Sequence, residues 1–232
     1  MSEHEVSQER KKQIKKARKS AGQDLYIISG PSGCGKDTVI GELLNRIENA
    51  ACATSCTTRS PRRKKNGEME KDGVDYYFID RESFERKEEK GDFLESAEVH
   101  GELYGTPLAD LEWLRLHSRN PIILNIDPEG TMQAKQRFRA ATTIFLLPPG
   151  VAELRRRLEE RNSETEESIA RRMADAAEQI AYACQCDYVV VNDTIGRTVQ
   201  CIQNIIEAHR HQSSRQGELI ESILEDFESA AE

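Results

Sequence analysis

The sequence predicts an α/β fold, a mostly parallel sheet flanked by helices, and three observations carry that expectation. Strand-like and helix-like segments alternate from Leu25 to about residue 210, the pattern of strands joined by crossover helices. Three strand segments, Ile122-Ile-Leu124, Ile144-Phe-Leu-Leu147 and Tyr188-Val-Val-Val191, are nearly unbroken apolar runs, as strands covered on both faces require. The first strand passes directly into Gly30-Pro-Ser-Gly-Cys-Gly-Lys-Asp-Thr38, where Gly30, Gly35 and Lys36 have the G-x-x-x-x-G-K spacing of a phosphate-binding loop.

The elements follow in order. Residues 1–23 form a polar tail whose block Arg10, Lys11, Lys12, Lys15, Lys16, Arg18 and Lys19 puts seven positive charges into ten positions. With only Ile14 and Ala17 apolar, it reads as a solvated segment in preference to a nuclear-localisation or RNA-contacting one. A strand at 25–29 is followed by a helix at 36–48, with Val39, Ile40, Leu43, Leu44 and Ile47 at helical spacing. Strands at 53–57 and 75–79 precede helices at 81–90 and 107–117. A strand at 121–127 leads into a helix at 128–137. The strand at 142–147 stops at Pro148-Pro149-Gly150, before helices at 150–161 and 164–183. A strand at 187–192 and a helix at 195–210 close the pattern. Ser213, Ser214 and Gly217 break it, and 218–232 reads as a short acidic amphipathic helix with the stripe Ile220, Ile223, Leu224 and Phe227. That stripe packs on its own domain or meets a partner. The expected organisation is therefore a tail at 1–23, a domain at 24–211 and an acidic helix at 212–232.

Composition narrows the function. At 232 residues the chain fits one α/β domain with extensions, and 37 % hydrophobic residues supply its core. A net charge of −8 argues against general nucleic-acid binding and against an anionic membrane surface. No apolar run approaches the ~20 residues of a membrane span and no signal-peptide core is present, so the expected location is the cytoplasm. The six cysteines contain no C-x-x-C pair, and their 52/56 and 184/186 spacings are not usual zinc patterns; reduced, buried thiols are expected.

The loop is the first chemical constellation. Its glycines let the backbone turn its N–H groups inward, the following helix adds its positive end, and Lys36 brings a full charge for outer phosphates. The second lies at Thr54-Ser-Cys-Thr-Thr-Arg-Ser-Pro-Arg62, Gly67-Glu68, Asp72-Gly-Val-Asp-Tyr-Tyr-Phe78, Phe93-Leu-Glu95 and Tyr104-Gly-Thr-Pro107. Hydroxyls, tyrosines and the forked guanidinium groups of Arg59 and Arg62 suit an anionic substrate with a flat ring.

Together these motifs closely resemble the guanylate kinase family. The landmarks are Gly-Pro-Ser-Gly-x-Gly-Lys at 30–36, Thr-Thr-Arg-x-Pro-Arg at 57–62, Gly-Val-Asp-Tyr at 73–76 and Tyr-Gly-Thr at 104–106. Glu164-Thr-Glu-Glu-Ser-Ile169 with Arg171 and Arg172 looks like the family's lid, and Val191-Asn-Asp193 like its last strand end. The likeness runs from about Leu25 to His211. It implies a P-loop NTPase-type fold with an inserted GMP-binding region at about 55–106 and a helical lid at about 155–175. The implied activity is phosphoryl transfer from ATP to GMP, giving ADP and GDP, with Mg²⁺ accompanying ATP.

Position by position, the resemblance implies an ATP site of Gly30, Pro31, Ser32, Gly33, Cys34, Gly35, Lys36, Asp37, Thr38, Arg157 and Asn192, the last against the adenine. It implies a GMP site of Ser55, Arg59, Arg62, Glu68, Tyr76, Glu95, Tyr104 and Thr106, with Asp127 nearby. Glu95 and Thr106 would read the base: a carboxylate accepts from guanine N1–H and N2–H₂, a hydroxyl donates to O6, and adenine N1 would face the carboxylate unpaired. Lys36, Arg59, Arg161 and Arg172 would stabilise charge on the moving phosphoryl group, since this reaction needs positioning more than covalent or acid–base help.

Three places depart from the family pattern. The loop between Arg62 and Asp75 is longer and more basic, which loosens the assignment of Glu68. Asp37 replaces the small or hydroxyl residue after Lys36, so Asp37 and Thr38 are the metal candidates. Asn125 stands where an acid is usual. Two alternatives stay open: a catalytically weakened binding module for acidic or phosphorylated peptides, and a kinase with shifted base or sugar specificity. A homodimer also stays open.

Overall fold

The computed structural model describes residues 24–64, 67–99, 101–117, 121–160 and 166–230, so the basic tail and Arg161 lie outside the described residues. The chain runs β1 (Leu25–Ser29), α1 (Lys36–Arg46), β2 (Ala51–Cys52), β3 (Cys56–Thr57), β4 (Tyr77–Phe78), α2 (Arg81–Glu89), β5 (Phe93–Val99), β6 (Glu102–Pro107) and α3 (Leu108–His117). It continues through β7 (Ile122–Asn125), α4 (Pro128–Arg137), β8 (Thr142–Leu147), α5 (Val151–Glu159), α6 (Glu166–Ile180), β9 (Tyr188–Val191), α7 (Ile195–Arg210) and α8 (Gly217–Ser229). Two compact units result, one of residues 25–201 and one that joins Asp24 to the residues from Ile202 onward.

In the first unit, β2, β7, β1, β8 and β9 form a parallel sheet in that order. Every residue of β1 is buried, as its central place demands. The register sets Ile28 beside Asn125 and Ser29 beside Phe145, so the strands end together and the segments after them share one edge. In open parallel sheets that carboxyl edge is where ligands bind. Leu25, Ile27, Leu94, Leu111, Ile122, Leu124, Ile126 and Ala134 form the core cluster on one side. Leu154, Leu158, Ile169 and Ala176 bind α5 to α6 in another.

A second sheet, in the order β4-β3-β6-β5, corrects two expectations. Of the strand expected over 53–57 only Cys56–Thr57 forms, as β3 in the second sheet, while β2 lies before that range in the parallel sheet. The strand expected at 75–79 lies there too, parallel to β3. The antiparallel pair β5–β6 had no counterpart in the sequence reading, because Phe93-Leu-Glu-Ser-Ala-Glu-Val99 has neither a clean alternation nor an apolar run. Phe84 from α2 stacks on Phe93 at 4.5 Å between centroids, and with Cys56 and Leu103 it gives this sheet its own small core. Asp80 caps α2 by accepting from Ser83 N at 2.8 Å.

In the other unit Asp24 accepts from Arg210 Nε at 3.2 Å and pairs with Arg215. Gln216 Nε2 donates to Arg210 O at 2.6 Å, which fixes the turn into α8. The apolar stripe of α8 is exposed, up to 73 % at Phe227. Among the described residues, no helix is long and apolar enough to cross a membrane.

Candidate active site

The segment 30–35 lies at the carboxyl edge of the sheet and its shape depends on glycine. Gly30 has φ +144°, and a Cβ there would sit 2.4 Å from Leu146 O. Gly35 has φ +97°, and a Cβ would meet Asn192 Nδ2 at 2.6 Å. Both positions therefore combine a left-handed backbone with a close approach that a side chain would block. Arg157 from α5 donates to Cys34 O at 3.1 Å and Asn192 O at 2.9 Å, while Glu153 holds its Nε at 2.8 Å. Asn192 is 3 % exposed; its amide donates to Cys34 O at 2.7 Å and its carbonyl accepts from Thr198 at 3.0 Å. Asn192 thus braces the loop with its side chain. Cys34 is fully buried, and burial pushes its thiol pKa up, so it acts as packing.

Cations gather on the open side. Lys36 Nζ donates to Gly30 O at 2.6 Å and Pro31 O at 3.4 Å, which holds the ammonium over the loop. Arg172 from α6 is 8 % exposed and its Nη1 reaches Ser32 Oγ at 3.5 Å. Gly33 completes the turn, with φ +85°. Asp37 and Thr38 are exposed in the first turn of α1. Asn125, at the end of β7, donates its amide to Asp37 Oδ1 at 2.7 Å. The two departures from the family pattern thus touch each other: a second carboxylate at 125 would face Asp37 with like charge.

The second sheet presents the other cluster. Arg59 is 7 % exposed and makes a two-pronged bond to Glu70, Nη1 to Oε2 at 2.8 Å and Nη2 to Oε1 at 3.1 Å. Its Nε donates to Tyr104 OH at 3.2 Å, and its plane lies 5.2 Å from the Tyr76 ring. Burial opposes the Arg59 charge, but the Glu70 contacts outweigh it and hold the pKa above the ordinary arginine value. Glu70 also accepts from Arg62 N at 2.7 Å. Glu68, which the resemblance implies for the GMP site, is exposed on the loop, where its carbonyl accepts from Lys64 N at 2.7 Å. Glu70 takes the position expected of Glu68, because the lengthened loop moves Glu68 outward. Reading back from Gly73-Val-Asp-Tyr76, past that loop, selects Glu70 from sequence.

Behind the arginine, Glu95 is 5 % exposed. Its Oε1 accepts from Thr106 N at 3.0 Å and Thr106 Oγ1 at 2.7 Å, and Thr106 lies 3.3 Å from Ser55 Oγ. Desolvation pushes the Glu95 pKa up to about 7, with the charge of Asp127 adding to it against the Thr106 bonds. Asp127 itself caps α4, Oδ1 accepting from Glu129 N at 2.9 Å and Gly130 N at 3.0 Å. Two supporting residues escaped the sequence reading. A Cβ on Gly130 would sit 2.6 Å from Glu95 Oε2, so glycine makes the space for that carboxylate. Gln133 exchanges two bonds with the backbone of Ser96, at 3.3 and 3.1 Å, and ties β5 to α4 beside Glu95. Neither has a local signature, since each acts across the fold.

The chain is similar to known proteins over most of its length. The family model described as guanylate kinase matches residues 22–209. A guanylate kinase of Alkalilimnicola ehrlichii is 40 % identical over 203 residues, covering 88 % of this chain and 97 % of its own. One from Thermotoga maritima is 36 % identical over 197 residues, covering 85 % and 92 %. The crystal structure of guanylate kinase from Anaplasma phagocytophilum superposes with a TM-score of 0.67 at 35 % identity, covering 85 % of this chain and 93 % of that one.

Proposed function

The chain belongs to the guanylate kinase family, and on that premise we propose that it moves the terminal phosphoryl group of ATP to the phosphate of GMP through the residues above, giving ADP and GDP. The observation that carries this reading is the pairing, within residues 25–201, of a phosphate loop bearing Lys36 with a buried carboxylate–hydroxyl reader, Glu95 and Thr106, beside Arg59. A loop alone would fit any nucleotide-binding protein. A desolvated carboxylate with a hydroxyl beside it fits guanine.

The loop amides and Lys36 hold the outer phosphates of ATP, with Arg172 closing over them; the resemblance to the family assigns the same role to Arg161. Arg59, Arg62, Tyr76 and Tyr104 hold the phosphate of GMP. Glu70 keeps the Arg59 fork extended, so it is a positioning residue. An oxygen of the GMP phosphate attacks in line, the bridging oxygen of ADP leaves, and the arginines and Lys36 stabilise charge on the transferring group. Exclusion of water prevents hydrolysis of ATP, which calls for closure of the lid and the GMP-binding region.

The side chains also suit Mg²⁺. Asp37 Oδ2 has no hydrogen-bond partner among the described residues, and with the Thr38 hydroxyl it offers the oxygen donors that this ion takes. When bound, Mg²⁺ neutralises charge on the outer phosphates of ATP. Asp37 would help to hold the ion through water, with Asn125 fixing its other oxygen. ADP release measured with GMP, dGMP, AMP, UMP and CMP tests the reading. GMP-dependent release with little response to AMP is the expected result; binding of GMP without ADP release would establish a binding module instead.

A further inference from the structure

We propose that the exposed face of α8 is the docking surface for the basic amino-terminal segment of the same chain, residues 10–19. The face has two components. Leu219, Ile220, Ile223, Leu224 and Phe227 are 55, 38, 46, 41 and 73 % exposed on one short helix, an apolar patch of the kind soluble proteins normally cover. Around them stand Glu218, Glu221, Glu225, Asp226 and Glu228, with no lysine or arginine between Gly217 and Ser229.

Three facts select the occupant. The first is charge: residues 10–19 contain seven lysines and arginines and no acid, the complement of α8. The second is side-chain form. Long basic side chains lay their methylene stems on apolar surface while their heads reach outward to carboxylates, so a segment with only Ile14 and Ala17 apolar still covers such a stripe. The third is tethering. Asp24 is held by Arg210, at 3.2 Å, and by Arg215, two residues before α8 begins. Residues 20–23 can span up to ~14 Å when extended, a reach that would let Lys19 meet the first turn of α8 and the preceding residues follow its ~20 Å length. A second copy of α8 fits the same apolar stripe but brings its own five carboxylates against these, and like charge disfavours it.

The inference does not depend on the catalytic reading, and the test uses the full chain. Hydrogen exchange across 217–229 is compared between the wild type at low salt, the wild type in 1 M NaCl, and the variant Lys12→Glu, Lys15→Glu, Lys16→Glu, Lys19→Glu. Exchange about tenfold faster in the variant, and in 1 M salt where the screening length shrinks to ~3 Å, is expected, with 128–137 unchanged. Adding Glu218→Lys, Glu225→Lys and Asp226→Lys to the four reversals should restore slow exchange, a rescue that general loosening would not give. Equal exchange in wild type and variant overturns the proposal. So does a mass of twice the chain, by light scattering, in both proteins with α8 protected in both, which would identify a second copy as the occupant.

Discussion

Asp37 and Asn125 show how one hydrogen bond joins two departures from a family pattern. Asn125→Asp would put a second carboxylate 2.7 Å from the first, so the melting temperature measured without metal should fall by several degrees at pH 7.5 and recover at pH 5. Adding Asp37→Ser to that variant should recover it at both pH values. Asp37→Ser alone should keep activity and leave Mg²⁺ dependence nearly unchanged; a steep rise in required Mg²⁺ would make Asp37 an inner-sphere ligand. Lys36→Met removes the one full charge on the loop and should lower kcat by about 10²-fold or more. Burial pushes the Glu95 pKa up to about 7 from its ordinary 4.5, so it binds more protons folded than unfolded. Its contribution to stability is full below the unfolded pKa and is lost as pH rises through about 7. Binding to guanine has the opposite sign, because it needs the ionised form. GMP affinity should rise about tenfold from pH 6 to pH 8 in the wild type, beyond the change seen in Glu95→Gln, which retains only the titration of the ligand. The same substitution should cost roughly 2–4 kcal/mol of GMP-over-AMP discrimination in kcat/KM.

At the scale of elements, α4 and β5 form one supporting device for Glu95. Gly130→Ala improves helix propensity but drives a methyl into the carboxylate, which lies at the end of a flexible side chain. The expected outcome is an unchanged melting temperature with a GMP dissociation constant raised about tenfold or more; unfolding would show that the helix, and not the side chain, gives way. The second sheet depends on its own small core instead. Phe84→Ala removes a fully buried ring stacked at 4.5 Å and should cost about 3–5 kcal/mol in denaturant unfolding. Its packing against that one sheet also directs the damage: GMP affinity should fall before ATP affinity does. The β5–β6 pair was not legible in the sequence because Glu95, Ser96 and Glu98 interrupt the apolar pattern. In the proposed function the interruption at Glu95 has a reason, since a base reader must be polar where a strand would be apolar.

At the scale of the molecule, the parallel sheet brings segments after β1, β7, β8 and β9 to one edge, and the second sheet brings Arg59, Glu95 and Thr106 into a cluster of their own. The transfer machinery lies within residues 25–201, and α8 lies in the other unit. A chain ending at Gln212 should therefore keep kcat/KM for GMP while losing the Asp24–Arg215 pair, with a lower melting temperature as its readout. Loss of GMP-dependent ADP release in that chain would show that α8 supports catalysis.

The sequence by itself determined the parallel sheet and the phosphate loop, because both are written in consecutive residues. Apolar runs at Ile144–Leu147 and Tyr188–Val191 demand burial on two sides, and the spacing from Gly30 to Lys36 demands a turn before a helix. It also brought Arg59, Glu95 and Thr106 to notice within a polar constellation, while Arg172 and the base-reading roles came from the resemblance to the guanylate kinase family. Only the tertiary structure turned Asn192 inward to brace Cys34 and gave Gly130 its purpose. Those choices depend on groups distant in sequence meeting within hydrogen-bonding reach. Local periodicity carries no information about which distant oxygen a guanidinium will find, and that pairing is settled only when the layers pack.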